Sequence, residues 1–120
     1  EDKKNYKKTI LFDFDGVIHS YTSGWKGIDV IPDKPVEGIK ELINELRKEY
    51  TIKIYSSRCL EEKGINAIEE YLQKNNIVVD GIARTKEKAY LIIDDRAITF
   101  KGNCKSLLDE IKNFKVWNKK

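Results

Sequence analysis

The 120 residues contain no methionine, two prolines, two cysteines and one histidine. The scarcity of proline leaves room for uninterrupted helices and strands. Cys59 and Cys104 lie far apart and form no C-x-x-C pair, which excludes a disulfide framework. With a single His to assist them, a zinc site is also excluded. No apolar run approaches the ~18 residues that a membrane span needs, so no membrane partner is expected. The opening Glu1-Asp2-Lys3-Lys4 has none of the apolar character of a secretion signal. Free thiols in a reducing, cytoplasmic compartment are therefore expected. The chain starts at Glu1 rather than at a methionine, and a trimmed start is expected.

What is present fits one domain, residues 1–120. Hydrophobic residues make up 40% and charged residues 36%, a balance that argues against disorder. The net charge is +3, but its placement matters more than its size. Residues 1–8 hold four Lys and two acids, and residues 115–120 hold three Lys and no acid, which leaves 16 basic and 18 acidic side chains for 9–114. The basic surplus thus belongs to two end segments, expected as solvated tails. That distribution differs from a nucleic-acid footprint, which needs basic residues clustered on a folded face.

Between the tails, short apolar runs alternate with helical patterns. Thr9–Asp13 and Thr51–Ser56 read as strands. A short strand is expected within 77–83, another over Tyr90–Asp94, and a last one over Ala97–Phe100. Ile39, Leu42, Ile43 and Leu46 follow i, i+3, i+4, i+7 spacing, the apolar face of a helix that begins near Pro35. A second helix over 61–75 turns Ile65, Ile68 and Leu72 inward. A third begins at Asn103, a good N-cap, and carries Leu107, Leu108, Ile111 and Phe114. Residues 17–34 lack any sustained period and form a flap. The alternation predicts an α/β fold: three layers, a mostly parallel Rossmann-like sheet with helices on both faces, and no cap domain. Such sheets bind ligands at the carboxyl ends of their strands.

The polar residues gather at those ends. Asp13 closes the first strand and Asp15 follows two residues later. Ser56 and Ser57 close the second, and Asp94 and Asp95 the fourth. Lys86 precedes the fourth strand by a short loop. Parallel strands would bring four carboxylates to one edge, where they repel one another. A hard divalent cation such as Mg²⁺ relieves that repulsion through oxygen ligands. A remaining carboxylate could then attack phosphorus, with the metal and a lysine around the phosphoryl group.

These residues resemble the haloacid dehalogenase (HAD) superfamily of phosphohydrolases. The resemblance rests on Asp13-Phe14-Asp15-Gly16-Val17, on the apolar strand ending at Ser56, on Lys86, and on Ile92-Ile93-Asp94-Asp95, in that order along the chain. The stretch Ile93–Ala97 and the segment around Ser20–Gly27 look most like small HAD-like proteins of bacterial and phage genomes. The resemblance implies Asp13 as nucleophile and Mg²⁺ ligand. It implies Asp15 as general acid and then base, ligating the metal through its backbone carbonyl. Ser56 would bind the transferring phosphoryl group and Lys86 would neutralise charge; Lys88 and Ser57 are the respective alternates. Asp95 would ligate the metal directly and Asp94 would hold a metal-bound water. The resemblance implies phosphate chemistry, because Asp15 matches an acid that the phosphatases and phosphotransferases of the superfamily have and the dehalogenase branch lacks. The short intervals after the first and second motifs resemble the capless class, which acts on large substrates or borrows a neighbouring subunit as a lid.

The expected function is a Mg²⁺-dependent phosphomonoester hydrolase working through an aspartyl-phosphate, with nucleotides or polynucleotide ends as candidate substrates. Within the flap, Trp25 or Tyr21 could stack on a base or simply pack the flap down, and His19 reads as structural. Arg58 and Arg96 each follow a motif and could grip a substrate anion. A phosphorylated receiver domain is the alternative of similar length. Its paired acids come first rather than last, and it lacks the second acid of Asp13-x-Asp15. A non-catalytic binding module on the same fold is the other alternative.

Overall fold

The computed structural model describes residues 7–118. Among them, four strands and three α-helices alternate: β1 (Lys8–Phe12), α1 (Ile39–Leu46), β2 (Tyr50–Ile54), α2 (Glu62–Lys74), β3 (Gly81–Ile82), β4 (Leu91–Ile93) and α3 (Cys104–Lys112). The strands form one sheet in the order β3-β2-β1-β4, and every neighbouring pair is parallel. The chain adopts the expected α/β class with a parallel sheet, an arrangement compatible with a Rossmann-like fold.

β1 is central, and its Ile10, Leu11 and Phe12 are all buried. That continuous apolar run is what a parallel strand covered on both faces requires. α1 starts after Gly38, whose φ of 86° lies in the left-handed region. It buries Ile39 and Ile43, while Leu42, expected on the inner face, is exposed. An eight-residue helix can turn only a narrow stripe inward, and Leu42 falls at its margin. α2 buries Ile65, Ile68 and Leu72 as expected, and adds Tyr71. Asn103 caps α3 by accepting a hydrogen bond from the Ser106 amide at 3.1 Å.

Three expectations change. Ala97–Phe100 forms no strand. β4 is an edge strand paired only with β1, and all three of its residues are exposed despite their apolar character. α3 buries none of its residues. The β4 flank is therefore thin, whereas the core lies around β1, β2, α1 and α2. Some residues of the basic end segments join the fold. Lys8 opens β1, Lys7 donates to the Arg47 carbonyl at 3.0 Å, and Trp117 and Asn118 bond back to the body of the chain. The rest of those segments, 1–6 and 119–120, lies outside the described residues.

Asp80 braces the β2 edge. One carboxylate oxygen accepts from the Ile52 amide at 2.7 Å, and the other from Arg47 at 2.8 and 3.2 Å. The Arg47 hydrogen bond holds Asp80 below the ordinary carboxylate range. Replacing Asp80 by Ala leaves the Ile52 amide without its acceptor, and urea unfolding is expected to show a loss of about 1–3 kcal/mol near neutrality. The folded pKa is depressed, so this contribution exists above the unfolded value near ~3.9 and fades as pH falls through the folded one. A gap between wild type and Asp80→Ala that stayed constant down to pH 2 would contradict this account.

Candidate active site

The strand register decides where the acids meet. Phe12, Ile54 and Ile93, the last residues of β1, β2 and β4, lie level with one another. The Asp13 amide extends the ladder by donating to the Ile93 carbonyl at 2.8 Å. Asp13 thus emerges beside Asp94 and Asp95. Oxygens of these three carboxylates all lie within 4.8 Å of one another. Asp13 accepts from the Phe14 amide at 2.8 Å and Asp94 from the Arg96 amide at 2.9 Å, so local backbone bonds orient both. Gly16 is required here for two reasons. Its φ of 84° favours glycine, and a Cβ at this position would fall inside the Asp95 carboxylate.

Crowding shows in the protonation of Asp13. Burial first, then the charges of Asp94 and Asp95 and a shared hydrogen bond with Asp95, push it up to about 8. Left alone near neutral pH, the cluster retains a proton. Three hard oxygen donors at this separation fit a divalent cation of the Mg²⁺ type, whose charge would replace that proton.

Asp15 sits in the opposite environment. One of its oxygens accepts from His19 Nδ1 and the other from Arg58 Nε, each at 2.9 Å. Burial acts to raise its pKa, but these two hydrogen bonds and the Arg58 charge prevail and hold it below the usual range. His19 Nε2 accepts from the Asp33 amide at 3.1 Å, which leaves the ring proton on Nδ1, facing Asp15. His19 and Arg58 are both fully buried. Arg58 Nη1 also donates to the Gly27 and Ile28 carbonyls at 2.8 Å, and Trp25 lies over the guanidinium with 4.6 Å to its ring centre. Arg58 therefore ties the flap to Asp15 instead of standing free to grip a substrate anion. Its Nη2 alone has no hydrogen-bond acceptor.

Ser56 is buried, and its Oγ accepts from the Arg58 amide at 3.2 Å, capping a short 3-10 turn over Ser57–Leu60. Ser57 is exposed on that turn. Lys86 and Lys88 are exposed, and neither forms an ion pair or hydrogen bond with the acids among the described residues. Between them, Glu87 accepts from Lys53 at 2.9 Å and fixes the loop. An exposed lysine gains only about 0–1 kcal/mol from one carboxylate, too little to draw it to the cluster. Arg96 is exposed beside the paired acids.

Several contributing residues carry no sequence signal. Asp33 reaches His19 only through the folding of the flap, and Tyr71 holds the Asp33 carbonyl at 2.9 Å. Trp117 Nε1 donates to the Gly16 carbonyl at 2.7 Å, and Asn118 Nδ2 to the Ser20 carbonyl at 3.0 Å. A cavity of about 600 Å³ between Asp33, Tyr71 and Lys74 includes none of the clustered acids. The site is marked by its charge arrangement and not by an enclosed volume. No family model, curated protein or solved structure matches the chain.

Two outcomes follow from the crowding. Asp13 has a raised pKa in the folded protein, so in chelator the native state holds a proton that the unfolded chain releases near ~3.8. This contribution to stability is full below that value and is lost as pH rises through about 8. Thermal melts should show this decline in wild type, its absence in Asp13→Asn, and its reversal by Mg²⁺ at pH 8. Superimposable pH profiles for the two proteins would rule it out. For Gly16→Ala, calorimetric titration with Mg²⁺ or Mn²⁺ should show at least about tenfold weaker binding, because the methyl displaces Asp95. Unchanged affinity would mean that Asp95 is not a ligand.

Proposed function

We propose that the chain is a divalent-cation-dependent phosphomonoester hydrolase of the HAD type, acting through an aspartyl-phosphate on Asp13. The observation that carries this reading is the meeting of Asp13, Asp94 and Asp95 within 4.8 Å at the carboxyl edge of a parallel sheet. Two residues beyond Asp13, a fourth acid is held apart by His19 and Arg58.

When bound by Asp13, Asp95 and, through water, Asp94, Mg²⁺ would keep Asp13 ionised and offset phosphoryl charge. A carboxylate oxygen of Asp13 attacks phosphorus, and the bond from phosphorus to the ester oxygen breaks. A proton from the Asp15 carboxyl goes to the departing alkoxide. Asp15 then takes a proton from water as its oxygen attacks the phosphoryl group. The acyl-phosphate bond breaks, which returns Asp13 and releases inorganic phosphate. The bonds from His19 and Arg58 hold Asp15 ionised, the state the second half-reaction needs. The first half requires it to leave that pairing and gain a proton. On this reading the Ser56 hydroxyl, whose oxygen accepts from the Arg58 amide, would donate to a phosphoryl oxygen, and Lys86 would swing in from the solvent to share the charge.

On this reading the helices cover both sheet faces in three layers, and the flap stands in place of a cap. A neighbouring subunit could complete the mouth. The reducing, cytoplasmic setting expected from the free thiols belongs to the same reading. The exposed position of Lys86 favours one second reading, a cation-binding module without turnover.

Assay of a phosphomonoester panel with Mg²⁺ separates the two. Hydrolysis is expected, with Asp13→Asn falling to background and Asp15→Asn losing about 10²–10⁴-fold in kcat. Cation binding with no turnover of any phosphoester would leave the module reading and end the hydrolase one.

A further inference from the structure

The C-terminal segment is fastened to the loop that carries the acids. Trp117 and Asn118 donate to the Gly16 and Ser20 carbonyls across roughly a hundred residues of sequence. Gly16 is the residue against which Asp95 packs. The indole is thus anchored through its N–H beside the carboxylate cluster, yet Trp117 remains 60% exposed. An anchored nitrogen and an open π-face are the two properties of a stacking platform.

Two more aromatics belong to this rim. Trp25 is 52% exposed and lies over Arg58, the residue that holds Asp15. Tyr21 meets the His19 ring edge-on at 5.9 Å. Its φ of 62° places it in the left-handed region, which a bulky residue adopts only at a cost.

We propose that Trp117 is a substrate-binding residue, its indole stacking on a planar aromatic leaving group. The preferred substrates would then be phosphomonoesters of nucleosides or phenols rather than of glycerol or sugars. The phosphate end of this inference rests on the hydrolase reading, while the stacking does not.

Steady-state kinetics with adenosine 5'-monophosphate, p-nitrophenyl phosphate and glycerol 3-phosphate provides the first arm. Trp117→Ala should lower kcat/KM for the planar substrates relative to glycerol 3-phosphate by about tenfold, mainly through KM, and Trp117→Phe should restore most of it. A larger loss with the nucleotide identifies a nucleoside ester, and a larger loss with the aryl ester identifies a phenol. Equal losses on all three would assign Trp117 a purely structural role and overturn the proposal. The second arm needs no turnover. In Trp25→Phe, Trp117 is the remaining tryptophan, and its fluorescence should be quenched by adenosine 5'-monophosphate but not by ribose 5-phosphate. Absence of that difference overturns the stacking, whereas quenching without hydrolysis of any ester overturns only the hydrolase reading.

Discussion

Three carboxylates share a space in which no two oxygens need be more than 4.8 Å apart, and the geometry of the carboxyl edge is arranged around that repulsion. β1 delivers Asp13 and β4 delivers the Asp94-Asp95 pair at the same level because their terminal residues are in register. Gly16 leaves the space that Asp95 occupies. Without positive charge nearby, burial and the neighbouring acids favour a proton on Asp13. A fold stabilised only by its own contacts would gain nothing from this placement, since each acid could be solvated apart from the others.

Asp13 and Asp15 are separated by a single residue and pushed in opposite directions. Burial and neighbouring acids raise Asp13, while His19 and Arg58 lower Asp15 against the effect of burial. Two nearby acids thus come to favour different protonation states. The division depends on the flap, because the Asp33 amide holds His19, and the Gly27 and Ile28 carbonyls hold Arg58. The flap thereby sets the protonation of Asp15 as well as covering that part of the sheet.

The sheet is uneven. β1 and β2 lie in a well-packed core, whereas two of the three clustered acids follow β4, an exposed three-residue edge strand. The Trp117 and Asn118 bonds compensate in part. They fasten the chain beyond α3 to the loop that follows β1, next to the residues β4 must keep in place.

Much of this was legible before any coordinates. Alternating apolar runs and helical spacings specified the α/β class, and acids after two apolar strands pointed to one edge, because parallel strands end on one side; of the four carboxylates expected there, Asp13, Asp94 and Asp95 meet, whereas Asp15 pairs with His19 and Arg58. Capping by Asn103 and the inward residues of α2 followed from local rules of the same kind. Spacing did not reveal the partners of Asp15. Arg58 and His19 were visible as residues, but their burial depends on how the flap closes. Nor did it foretell the exposure of β4, where an apolar run reads alike whether or not a layer covers it, or the return of Trp117 to Gly16. Periodicity and strand-end chemistry are properties of contiguous residues, so the sequence alone determined the fold class and the acid set. Ionisation and anchoring depend on neighbours distant along the chain, so only the tertiary structure decided which acid holds a proton and what stands beside it.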